Sequence, residues 1–202
     1  MKRPLFKALS FALAVGSAAL PTTASAGIFV YTASLSGANE APPNVSAGTG
    51  FVRVTWDDVV KTMRVEATFS GLIGTTTASH IHCCTAVPGT GTAGVATTTP
   101  NFVGFPLGVT SGSMDQTYDM TLASSWNAAY ITANGNSIPT ATAALFAGMA
   151  EGKAYYNIHS SFAPGGEIRG FLTAVPEPST VALMAVGMLA LVPLARRRRS
   201  NA

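Results

Sequence analysis

Histidine and cysteine are almost absent from this chain, with three and two among 202 residues, and that scarcity limits its chemistry. The two cysteines, Cys83 and Cys84, are neighbours, so no disulfide can close a long loop within the chain. In an oxidising compartment the pair has three outcomes: a vicinal disulfide, which we favour, an intermolecular bridge, or metal ligation. Also missing are a Gly-x-Ser-x-Gly elbow, a phosphate-binding glycine loop and two carboxylates at a catalytic spacing. The expectation is therefore a protein that is not an enzyme. No internal repeat stands out.

An excess of positive charge is missing too, once the two ends are set aside. Over the whole chain 12 basic residues face nine acidic ones. Between Gly27 and Ala174 five basic residues (Arg53, Lys61, Arg64, Lys153, Arg169) face eight acidic ones, a net −3, so nucleic acid is not an expected partner.

The ends read as addresses. Residues 1–26 carry Lys2, Arg3 and Lys7, an apolar run from Ala8 to Leu20, and Ala24-Ser25-Ala26, which is the order of a secretory signal peptide. The run is shorter than the ~20 residues a transmembrane helix needs, so we expect a signal helix removed by signal peptidase. At the other end Pro176-Glu177-Pro178 precedes the uncharged stretch Val181 to Ala195, and Arg196, Arg197, Arg198 and Arg199 follow at once. That pattern predicts a short C-terminal transmembrane helix with its arginines on the cytoplasmic side, serving as a transient anchor. The expected division is 1–26 signal peptide, 27–174 β domain and 175–200 sorting segment.

Within the middle, short alternating segments dominate. Ile28 to Ser36, Gly50 to Trp56, Thr62 to Phe69, Ser79 to Cys84, Tyr118 to Leu122, Lys153 to Ser160 and Gly166 to Thr173 read as strands, separated by Gly, Pro and Asp turns. Thr85 to Pro100 is a long loop. Trp126, Ala129 and Tyr130 change to a helical period, with Ser124 or Ser125 available as a cap. A second helix is expected from Thr140 to Ala150, starting just after Pro139. The prediction is an all-β fold: an antiparallel Greek-key-like sandwich or barrel with two short inserted helices. Glu167 and Arg169 are expected to alternate outward on the last strand.

The chemistry-bearing stretch is Ser79-His80-Ile81-His82-Cys83-Cys84. On a strand, residues two apart share a face, which sets His80, His82 and Cys84 together and pairs Tyr155 and Asn157 with His159 farther along. If the two strands are neighbours, three imidazoles converge, with Cys84 as a fourth ligand, a donor set suited to copper or zinc. The structural alternative is that these histidines hydrogen-bond loop carbonyls and fix strand packing.

Two resemblances add to this. The Pro-Glu-Pro triplet, short span and arginine cluster resemble the PEP-CTERM sorting segment of bacterial exported proteins. That implies cleavage by an exosortase-type membrane protease and release at the cell surface. Leu35-Ser36-Gly37-Ala38-Asn39-Glu40-Ala41-Pro42-Pro43, Ser79-His80-Ile81-His82 and Tyr156-Asn157-Ile158-His159 with Pro164-Gly165-Gly166-Glu167-Ile168-Arg169-Gly170 occur in that order. They resemble the CHRD domain, a β-rich extracellular module without an agreed enzymatic activity. One departure stands out: family members often follow His-x-His with Gly-Pro, where this chain has Cys83-Cys84. A His-x-His strand in a Greek-key fold is also similar to copper/zinc superoxide dismutase, but three histidines are too few for that bimetallic site. Together these imply an exported, surface-sorted, non-enzymatic binding module acting on an unknown surface or matrix macromolecule. The alternative function is a copper- or zinc-binding envelope protein.

Overall fold

Alternating apolar and polar residues build β1 (Ile28–Ser36), β2 (Thr49–Asp57) and β3 (Thr62–Ser70), each nine residues long and paired in register, in a computed structural model that describes residues 27–176. Val52, Val54 and Trp56 point to one face, opposite Ala67, Val65 and Met63, and all six are buried. Tyr31, Ala33 and Leu35 extend that face across β1. Burying one such Val, Leu or Met side chain contributes about 1.5–3 kcal/mol relative to leaving it in water, so the register of this meander is strongly set. A one-residue slip would turn the whole apolar row to solvent.

After β4 (Thr76–His82) the chain runs through a long loop to β5 (Gly112–Asp119), which pairs with β3. Two helices follow, α1 (Ala128–Ala133) and α2 (Ile138–Ala150), and then β6 (Tyr155–Ser160), β7 (Ile168–Phe171) and the two-residue β8 (Thr173–Ala174). The strands form one curled antiparallel sheet, a half-barrel, in the order β4-β6-β7-β1-β2-β3-β5, with β8 also pairing with β1. The late strands β6 and β7 thus insert between β4 and β1, the long-range return that a Greek-key-like reading expects. The helices and the β4–β5 loop cover the concave side with Phe102, Phe105, Trp126, Tyr130, Leu145 and Met149. Phe146 of α2 stacks on Trp56 at 5.9 Å between ring centroids and meets Phe29 edge-on at 4.9 Å.

Local chemistry moved several boundaries. The cap of α1 is Asn127, whose side chain accepts from the Ala129 amide at 3.0 Å. Ser125 lies instead in a short 3-10 turn and donates to the Asp119 carbonyl at 2.6 Å. Helix α2 starts before Pro139, because Ser137 caps it and a proline in the first turn has no amide to leave unpaired. Strand β5 begins at Gly112, well before the predicted Tyr118, and stops at Asp119.

Both described ends lie at the same end of the half-barrel. Gly27 donates to Asp58 Oδ1 at 2.7 Å, and the Val175 amide donates to the Val30 carbonyl at 2.8 Å. The signal peptide and the expected membrane helix, with Glu177, Pro178 and Arg196 to Arg199, fall outside the described residues; Pro176 is the last of those described. No helix among the described residues is long and apolar enough to cross a membrane.

Candidate functional site

Strands β4 and β6 are direct neighbours, with His82 opposite Tyr155, His80 opposite Asn157 and Ala78 opposite His159. The period of two puts Ile81, Tyr156 and Ile158 into the apolar core and leaves His80, His82, Tyr155, Asn157 and His159 on the other face. The three imidazoles meet there. Ring centroids are 5.2 Å apart for His80 and His159, and 5.8 Å for His82 with either of the others. One nitrogen from each ring lies within 4.8 Å of the other two.

The remaining nitrogens are all tied to backbone carbonyls: His80 Nε2 to Pro100 at 2.5 Å, His82 Nδ1 to Ala93 at 2.9 Å, and His159 Nδ1 to Pro164 at 2.9 Å. A carbonyl can only accept, so each of these nitrogens carries the hydrogen of its ring. The lone pairs then sit on His80 Nδ1, His82 Nε2 and His159 Nε2. His80 Nδ1 and His159 Nε2 are 3.3 Å apart, and His82 Nε2 is buried without a hydrogen-bond partner. Burial pushes His80 and His82 down to about 4 against the pull of their carbonyls, and lowers His159 as well, so all three rings are neutral near pH 7. His80 and His82 are buried, and His159 is less completely so.

Around the imidazoles lies a polar layer assembled from distant motifs. Tyr155 stacks on His82 at 4.7 Å, and the Arg169 guanidinium lies over the Tyr155 ring at 4.7 Å. Arg169 Nε donates to the Asn39 carbonyl at 2.5 Å and stands 3.7 Å from Glu40, whose Oε1 accepts from Asn157 at 2.7 Å. Burial raises the Glu40 pKa to about 7, opposed by the Asn157 amide and by Arg169. Glu167 is fully buried and accepts from Ser46 Oγ at 2.6 Å, the Ile73 amide at 2.6 Å, the Gly74 amide at 3.2 Å and the Ser160 hydroxyl. Burial alone would raise its pKa, but these bonds outweigh burial and hold it below the ordinary carboxylate value.

The expectation that Glu167 and Arg169 point to water is corrected here. The side of β6 and β7 away from the core is itself roofed, by the segment after β1 and by the loops that follow β3 and β4. Alternation gave the right face but not what covers it. In the sequence, Asn39 and Glu40 stand in a motif that assigns them no role. The signal available was that the three motifs contain mutually complementary polar groups, which the fold brings together.

The cysteines lie just past the end of β4. Cys83 and Cys84 are joined as a disulfide, and the Cys84 sulfur sits 3.9 Å from the Tyr130 hydroxyl and 3.6 Å from the Ala144 carbonyl. The Cys84 sulfur is thus turned toward the helices and does not join the imidazoles. The strand ends at His82, and strand alternation does not carry past it.

Comparison with known families gives two matches: the CHRD domain model over residues 31–172 and the PEP-CTERM protein-sorting motif over residues 174–199. No curated protein and no solved structure matches the chain.

Proposed function

Since the chain belongs to the CHRD domain family, we propose that its β domain, residues 27–174, is a non-catalytic module that binds a surface or matrix macromolecule. The coarser part is plain. Its sorting motif marks it for secretion, membrane anchoring and processing by an exosortase, with the cell surface or the extracellular space as destination. Neither matched family is an enzyme family.

The observation that carries the proposal is the position of the two described ends. Gly27 and Val175 flank the same strand start, so the segments leading to both membrane addresses leave from one end of the half-barrel. The loops around Pro42-Pro43, Gly71 to Thr75 and Ser161 to Gly166 belong to the opposite end, where Ser36 pairs with Arg169 and Thr49 with Ser70. A domain hung in this way presents those loops to the surroundings before release. The buried carboxylates support a binding role over a catalytic one, because Glu40 and Glu167 are committed to Asn157, serines and backbone amides.

A deletion strain tests this. It is expected to lose surface-matrix retention or cell aggregation, with recovery on supplying the wild-type chain. Unchanged matrix and aggregation in the deletion strain would overturn it.

A further inference from the structure

We propose that His80, His82 and His159 bind one borderline divalent cation, zinc or copper(II), through His80 Nδ1 and the Nε2 atoms of His82 and His159. The proposal is independent of the surface-binding reading and concerns the polar face of β4 and β6.

Three observations carry it. The first is the pairing of lone pairs. With their hydrogens committed to Pro100 and Pro164, His80 Nδ1 and His159 Nε2 face each other as two acceptors 3.3 Å apart. Two acceptors at that distance repel unless something positive lies between them. The second is His82 Nε2, a buried acceptor with no hydrogen-bond partner, on a ring that has a nitrogen within 4.8 Å of the other two. An unmet buried polar atom is costly, and a bound cation would remove that cost. The third is the set of three carbonyls on the outer nitrogens. A metal-binding imidazole donates its other N–H to a carbonyl or carboxylate, which fixes the tautomer and raises the basicity of the ligand nitrogen. All three rings have that arrangement.

The spacing fits. Zinc–nitrogen bonds of about 2.0–2.1 Å in tetrahedral geometry put ligand nitrogens about 3.3–3.4 Å apart. The His80–His159 separation of 3.3 Å already has that value, and the nitrogens of the cluster all lie within 4.8 Å, so the third ring has little distance to travel. Neutral nitrogen donors suit zinc and copper better than calcium or magnesium, which take oxygen. With Cys84 held toward Tyr130, the protein supplies three ligands and leaves a fourth position for water or for a group from outside. The Arg169 guanidinium lies beyond the Tyr155 ring, with the Glu40 carboxyl 3.7 Å from it.

The experiment is metal titration of the purified full chain after stripping with a chelator, using zinc, copper(II) and, as a spectroscopic stand-in, cobalt(II). One equivalent per chain is expected, with a cobalt spectrum of tetrahedral intensity and a metal-dependent rise in melting temperature. Zinc uptake or copper uptake each supports the proposal and identifies the ion. His159→Gln and His82→Phe are each expected to weaken binding at least about tenfold, the phenylalanine keeping a ring against Tyr155. Folded wild-type chain that takes up neither metal at about 10 µM free ion, far above the Kd such a site should reach, overturns the proposal whatever the variants do. Unchanged binding in both variants overturns it as well.

Discussion

Glu167→Gln probes how much of this fold rests on a single buried carboxylate. In the native protein two donors converge on each oxygen: Ser46 and the Ile73 amide on Oε1, Ser160 and the Gly74 amide on Oε2. A glutamine keeps one oxygen and presents an NH2 group in place of the other. A serine hydroxyl can turn and accept from that group, but a backbone N–H cannot, so whichever way the amide lies, either Ile73 or Gly74 loses its acceptor. One orphaned buried N–H costs about 1–3 kcal/mol, and the surviving bonds fall from charge-assisted to neutral strength, about another 1 kcal/mol each. Removing a buried charge recovers some desolvation, though the lowered pKa means that the site favours the ion even after that cost. The net expectation is a loss of about 2–4 kcal/mol, a large share of the 5–15 kcal/mol typical of a domain.

Urea unfolding of the purified chain at pH 7, followed by fluorescence of Trp56 and Trp126, measures it. The sign with pH is fixed as well. A carboxylate with a depressed pKa stabilises above its unfolded value of 4.5 and loses that contribution as pH falls through the lower folded value. The gap between wild type and Glu167→Gln should therefore close in acid. A variant within about 0.5 kcal/mol of wild type at pH 7, the scatter of ordinary surface substitutions, would refute the reasoning.

Two further outcomes are expected. Glu40 titrates in the opposite sense: its folded pKa of about 7 lies above the unfolded 4.5, so its contribution is full below about 4.5 and is lost as pH rises through about 7. Glu40→Gln, which keeps an oxygen for the Asn157 amide, should flatten the stability profile between those values; an unchanged slope contradicts the assignment. Gly148 of α2 packs so closely on the disulfide that an added Cβ would collide with both sulfurs. Gly148→Ala should cost about 1–3 kcal/mol by overpacking. In a Cys83→Ala/Cys84→Ala background it should be neutral or stabilising by up to about 1 kcal/mol, the helix preference of alanine, and equal effects in both backgrounds would exclude the contact.

What was legible in the sequence follows from which forces act locally. Alternation in Val52 to Trp56 and Met63 to Phe69 reports a sheet with one buried face, and the meander of β1 to β3 with its neighbours carries that fold class. The convergence of His80, His82 and His159 was also readable, because a period of two and the pairing of β4 with β6 are enough to bring them together. Glu167 and Arg169 depart from the outward expectation, since alternation names a face and cannot say that a second layer from Asn39 and Ser46 covers it. Cys84 falls out of line with the histidines because β4 ends at His82 and the period of two stops there. The cap of α1 went to Asn127 over two serines because only its side chain faces the first free amide, a choice made by tertiary position.

The pairing of β8 with β1 sets how much slack the chain has before it is cut. Val175 is still hydrogen-bonded to Val30, and only five residues, 176–180, separate it from the uncharged stretch that starts at Val181. At about 3.4 Å per extended residue that neck reaches about 17 Å, less than the ~30 Å breadth of a small domain. If the membrane span opens at Val181, that reach keeps the folded domain close to the bilayer for as long as β8 stays paired. Thr173 and Ala174 of β8 pair with β1 and Val175 adds one bond to Val30, so peeling these three residues from β1 is the simplest way to lengthen the strap.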